Sequence, residues 1–118
     1  MVATGINNDG WITGFAVVKG VTVGFIQSYS STQLIVVKGS MNTQILGINN
    51  HDSIVGSYVD ADGNTHGFIK AEHHSAVSVD DPNAVGTTVL NGLNDNGRIV
   101  GFYVDADGNT DGLLAFQN

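Results

Sequence analysis

The chain has 118 residues, 42% of them hydrophobic and 13% charged, which suits one domain with a modest core and excludes a disordered tail. Eleven acidic residues against four basic ones leave a net charge of -7, so the basic surface needed to displace phosphate counterions is missing, and neither nucleic acid nor an anionic membrane is an expected partner. Sixteen glycines, a single proline (Pro82) and no cysteine describe tight turns between short strands and exclude disulfides and cysteine zinc sites.

In chain order, Val2–Thr4 is a short leading strand. The segment GINNDGWITGF from Gly5 then carries an Asn-rich turn into the first arm of a hairpin. Lys19-Gly20 is its two-residue turn, VTVGFI at Val21–Ile26 its second arm, and Gln33–Val37 a trailing strand. The same order then recurs. A leading strand at Thr43–Ile48 runs into GINNHDSIVGS from Gly47, the hairpin closes through Asp60–Asn64 onto NTHGFI, and Ala76–Val79 trails. A third pass begins at Thr87–Leu93, continues through GLNDNGRIVGF from Gly92 and NTDGLL from Asn109, and reaches Asn118 without a trailing strand. The motif starts lie 42 and 45 residues apart, and YVDADGNT is identical at Tyr58–Thr65 and Tyr103–Thr110. Duplication is the firm inference, with units at about 1–42, 43–86 and 87–118 in a single repeat domain.

Alternation inside the motifs is that of strands, with Ile54, Gly56 and Tyr58 on one face and Val55, Ser57 and Val59 on the other. Asp60-Ala61-Asp62-Gly63-Asn64 suits a type I turn followed by a left-handed glycine. That turn sets Tyr58 opposite His66 and Gly56 opposite Phe68. The third unit sets Tyr103 opposite Asp111 and Gly101 opposite Leu113. The shorter first loop sets Ala16 opposite Val23 and Gly14 opposite Phe25. A glycine facing a large side chain thus survives a change in loop length, as expected where a side chain covers bare backbone.

The pattern G-I-N-N-x-G-x-I-V-G-x-Y-x-D-A-x-G-N-T-H-G-F resembles the bacterial HAF-type extracellular repeat family, best at Gly47–Ile69 and Gly92–Leu114. The V-D-D-P-N-A segment at Val79–Ala84 also fits. The first unit departs from the pattern at Ala16, Lys19-Gly20 and Val23. The resemblance implies an exported, propeller-like repeat protein, extracellular or periplasmic, although the N-terminus has no signal-peptide pattern. It supplies no catalytic residues.

From the residues alone, the expected fold is all-β, about three four-stranded antiparallel units resembling propeller blades, because both faces of the hairpins are apolar. A compact three-fold monomer of the β-trefoil or β-prism kind is the alternative. Propellers typically need at least four blades. Blade units therefore imply either a fragment or a ring shared between copies, most simply a homodimer. Polar and aromatic side chains repeated at one end, Tyr58 with His66 and Tyr103 with Asp111, suit a ligand surface, as does the lone Trp11. Aromatic faces stack on sugar rings while Asp, Asn and His take hydroxyls, so glycans are the expected ligand class. Ordinary cross-strand pairing is the competing explanation. The Asp60/Asp62/Asn64 spacing resembles a calcium loop but lacks the glutamate at position twelve, so no metal site is assigned and no cofactor is expected. His73-His74 reads as a solvated turn. With no nucleophile elbow and no placeable carboxylate pair, a non-catalytic binding module is expected, and a purely structural or protein-interaction repeat is the alternative.

Overall fold

A computed structural model describes residues 1–117. Among them are eleven strands and no helix. The first unit comprises β1 (Val2–Ile6), β2 (Ile12–Val18), β3 (Val21–Gln27) and β4 (Thr32–Ile35). The second comprises β5 (Asn42–Ile48), β6 (Ile54–Val59), β7 (Thr65–Lys70) and β8 (Val77–Val79). The third comprises β9 (Thr88–Leu93), β10 (Arg98–Val104) and β11 (Thr110–Phe116). Asn118, the end of the third unit in the sequence, lies outside the described residues.

Each unit is an antiparallel meander. Consecutive units touch edgewise through single parallel bridges at equivalent places, Thr22 to Asn42 and Thr65 to Thr87. The link between units also bonds to the start of the hairpin's second arm. Thr22 N–H donates to the Met41 carbonyl at 3.1 Å, and Thr65 N–H to the Gly86 carbonyl at 2.9 Å.

All six expected cross-strand pairs form, including Gly14 with Phe25, Gly56 with Phe68 and Gly101 with Leu113. The turns follow their chemistry. Lys19 and Gly20 both take positive φ (50° and 82°), the geometry that matches a two-residue hairpin turn to strand twist. Gly63 and Gly108 are left-handed after a tight turn closed by Gly63 N–H on the Asp60 carbonyl and Gly108 N–H on the Asp105 carbonyl.

The glycines of the first arm have a second and stronger reason, which lies in the leading strand. Each leading strand carries a β-bulge just before its Asn-turn glycine, at Thr4, Leu46 and Asn91. The bulged strand presses a carbonyl onto the neighbouring arm. A Cβ at Gly14, Gly56 or Gly101 would overlap the carbonyl of Val2, Gln44 or Val89 respectively. Covering by Phe25 or Phe68 is therefore a consequence of the glycine as much as its cause.

The core lies between units. Ile26 and Ile35 of the first unit meet Ile45, Ile48, Ile54 and Phe68 of the second. Val55, Ile69 and Val79 of the second meet Leu90, Ile99 and Leu113 of the third. Packing runs from first to second and from second to third: β5 lies on β1, β2 and β3, as β9 lies on β5, β6 and β7. The outer faces stay open, with Ile6 67% and Val100 51% exposed, so the chain does not close on itself as a compact three-fold monomer would.

Candidate functional site

The meander puts all the Asn turns at one end of the units and all the hairpin loops at the other. At the hairpin-loop end, Asp60 shapes its own turn. Its Oδ1 accepts the N–H groups of Asp62 and Asn64, both at 2.9 Å. Its Oδ2 lies 2.6 Å from His66 Nε2. Asp80, in the link to the third unit, meets the other ring nitrogen, with Nδ1 2.9 Å from Oδ2 and 3.0 Å from Oδ1. An acceptor at each ring nitrogen favours the doubly protonated imidazole. Asp60 first and Asp80 second hold His66 above its ordinary pKa, against a smaller opposing effect of burial. His66 in turn, followed by the backbone N–H of Asn64, lowers Asp60. The ring lies flat against Tyr58, centroids 5.1 Å apart at 30°, and the Tyr58 hydroxyl is hydrogen-bonded to Ser78.

Beside this cluster is a cavity of about 160 Å³ between the second and third units, lined by Asn64, Thr65, His66, Asp80, Gly86 and Thr88 among others. Ligand pockets for whole small molecules usually exceed about 300 Å³, so this cavity has room for one functional group only.

The third unit repeats the frame with different charge. Asp105 Oδ1 accepts Asp107 and Asn109 N–H as Asp60 does in its own turn. Asp111 stands where His66 does, and its neighbour Asp105 raises its carboxyl above the usual range, while the Asn109 N–H and Asp111 lower Asp105. Desolvation, then the carboxylates of Asp81, Asp111 and Asp105, raise the Tyr103 phenol. The second unit therefore presents an imidazole between two carboxylates, and the third two neighbouring carboxyls, of which Asp111 is the harder to ionise. The first unit, with Ala16 and Val23, presents neither.

No family model, curated protein or solved structure matches this chain.

Of the five residues expected at a ligand surface, Tyr58, His66, Tyr103 and Asp111 share the hairpin-loop end. Trp11 does not join them. It packs half-buried on the core between the first two units at the Asn-turn end, where it lines a cavity of about 130 Å³ with Ile26, Gln33, Asp52, Ile54, Lys70, Glu72 and His73. Ile54 and Tyr58 stand at opposite ends of β6, which separates the two places by about four strand residues, roughly 13 Å. His73 is exposed in a turn, 3.0 Å from Glu72.

Sequence reasoning missed Asp80. Fourteen residues separate it from His66, and only the return of β8 beside β7 brings it there. It also missed the Asn turns as joints between units. Asn7 Oδ1 accepts the N–H of Asp9 and Trp11, while its Nδ2 donates to the Asn49 carbonyl at 3.1 Å. Asn49 closes its own turn through His51 and Ser53 N–H and donates to the Asn94 carbonyl at 3.2 Å. Next to them, Asn8 N–H donates to Asn50 Oδ1 (2.6 Å), and Asn50 N–H to Asp95 Oδ1 (2.7 Å). The bonds from Asn50 hold the Asp95 carboxyl below the usual range. The signal was in plain view as the recurring N-N/N-N/N-D dipeptide, but turn propensity alone accounted for it.

Proposed function

We propose that the chain is a non-catalytic binding module of propeller-type units that associates with copies of itself and meets its ligand at the hairpin-loop end. Carbohydrate is the ligand class the chemistry suits. The observation that carries this reading is the Tyr58–His66–Asp60–Asp80 cluster and its counterpart at Tyr103, Asp105 and Asp111, placed at the same end of neighbouring units. Rigidly held carboxylates accept sugar hydroxyls, and aromatic faces beside them supply stacking surface. Repetition between units lets weak contacts add through multivalency. The HAF-type resemblance agrees with this reading and with an exported setting.

The test is a glycan array, followed by calorimetry on any hit, with Asp80→Asn and Tyr103→Ala beside the native chain. Binding that falls at least tenfold in both, with the circular dichroism unchanged, supports the reading. Absence of binding to any glycan overturns it.

A structural or protein-interaction role is the second reading. It draws on one observation: both His66 nitrogens and the Tyr58 hydroxyl are already engaged within the chain. On that reading the same substitutions lower stability and leave every binding signal untouched.

A further inference from the structure

The contacts between units follow one rule, and the rule identifies what fits the two open faces. The side chain two positions before each Asn-turn glycine is a knob, and the first glycine of each hairpin's second arm is a hole. Ile45 of the second unit enters the hole at Gly24 of the first, where a Cβ would stand 2.6 Å from Ile45 Cγ1. Leu90 of the third unit enters the hole at Gly67 of the second, where a Cβ would stand 2.8 Å from Leu90 Cγ. Both knobs are completely buried. In the third unit the hole at Gly112 has nothing within 4 Å among the described residues. In the first unit the knob position is Ala3, and it is exposed.

The side chains around hole and knob repeat the contrast. Val55, on the forward face of the second unit, is wholly buried, and its equivalent Val100 is 51% exposed. Ile26 is 8% exposed, and its equivalent Leu114 is 59%. On the backward face Ile48 is 9% exposed and its equivalent Ile6 is 67%. The polar ladder breaks at the same places. Asn7 and Asn49 each donate Nδ2 to the next unit's Asn carbonyl, whereas among the described residues Asn94 Nδ2 has no acceptor. The matching carbonyl, that of Asn7, receives no such donor among them. The positions named on the two faces are uncharged, although Arg98 shares the strand face of Val100 and two copies of net charge -7 repel until salt screens them.

We infer that the forward face of the third unit docks on the backward face of the first unit of a second copy of this chain. In that joint Ala3 seats at Gly112, Ile6 covers Val100 and Leu114, and Asn94 Nδ2 donates to the Asn7 carbonyl. The joint reproduces the internal contact between units, so it is head-to-tail. A head-to-tail joint either closes a ring or extends a row of copies, and it cannot form a two-fold pair through one shared patch. The inference rests on the self-association proposed above and adds which surfaces meet. Ala3 is smaller than the knobs within the chain, which makes this joint the weakest of the series and leaves it improvable.

Light scattering over a range of concentrations tests it, with circular dichroism as the check on folding. The native chain should show multiples of its 12.3 kDa mass. Gly112→Val fills the hole from a position where a Cβ meets nothing of its own chain among the described residues, and should give a folded monomer. Ala3→Leu should tighten association by roughly fifteen- to sixty-fold, at about fourfold for each of the two or three added carbons that become buried. The chain has no cysteine of its own, so Ala3→Cys and Gly112→Cys chains can be mixed under oxidation. The mixture should cross-link and each variant alone should not. A native chain that is monomeric throughout overturns both the joint and self-association. Oligomers indifferent to Ala3→Leu and Gly112→Val, or cross-linking of either variant alone, overturn the joint and leave self-association standing.

Discussion

Asn49 accepts two N–H groups of its own turn through Oδ1 and donates Nδ2 to the Asn94 carbonyl 3.2 Å away in the next unit. One side chain thus shapes a turn and joins two units. The double duty explains an amide at this place where turn propensity alone would accept Asp or Ser equally. Aspartate keeps both acceptor functions, loses the donor and sets a carboxylate against a carbonyl.

Asn49→Asp should therefore lower stability by about 2 kcal/mol in urea unfolding, because a buried carboxylate then faces the Asn94 carbonyl, which keeps only the Gly97 N–H as donor. Asn94→Asp, at the open end of the ladder, should leave the unfolding of the monomer within about 0.5 kcal/mol of native. Equal losses in the two variants would mean that the bond between units contributes nothing.

The glycines divide by surroundings. Gly56→Ala should cost about 3 kcal/mol, since its Cβ meets the Gln44 carbonyl in a strand that cannot retreat. Gly112→Ala, with open space around it in the single chain, should leave the unfolding of the monomer unchanged or slightly more costly. Denaturant midpoints of the two variants measure the contrast directly, and a mild Gly56→Ala would show that the bulge yields.

His66 carries a pH dependence whose sign follows from its neighbours. Its folded pKa is raised, by Asp60 first and then Asp80, so its contribution is complete below the unfolded value of about 6.5 and fades as pH rises through the folded one. Asp60 is lowered, so its contribution is present above its unfolded value and fades as pH falls through the folded one. The stability difference between native chain and His66→Gln should be largest near pH 5 and decline on both sides. In the native chain, NMR titration should put the His66 midpoint above 6.5, and Asp80→Asn should move it down.

Asp52 holds the left-handed place of the second Asn turn, φ 62°, where the first and third units have Gly10 and Gly97. Burial raises its carboxyl most, with Glu72 and Asp9 adding to this and the Asn7 amide opposing. An asparagine at this position would tolerate the backbone better and still accept from Asn7 Nδ2, now 2.8 Å from Asp52. Asp52→Asn should raise Tm by a few degrees at pH 7. The gain should shrink toward pH 3, because a group with a raised folded pKa disfavours folding only once it ionises. A gain independent of pH would assign it wholly to the backbone.

Strand order, hairpin register and turn type were legible in the residues. Tyr58 faces His66 and Gly14 faces Phe25 as the loop lengths require, and Lys19-Gly20 adopts the two-residue turn. Trailing strands were placed less well: β4 ends at Ile35 where the apolar run extends to Val37, because Val37 N–H turns to the Thr43 hydroxyl. The bulges at Thr4, Leu46 and Asn91 left no mark in the alternation, since each sits beside a glycine that hides the change of face.

By itself the sequence determined what neighbours along the chain can enforce: which residues pair across a turn, where φ must be positive, and that the pattern occurs three times. Only the tertiary structure decided what units do to each other. It brought Asp80 to His66, carried Trp11 to the end opposite Tyr58, and linked Asn7 to Asn49 and Asn94. The reason is range. A hairpin pairs residues a few positions apart with a register set by its loop, whereas contacts 42 or 45 residues apart depend on how whole sheets stack. That stacking is set by the summed burial of Ile45, Val55, Leu90 and their neighbours, and no single spacing records it.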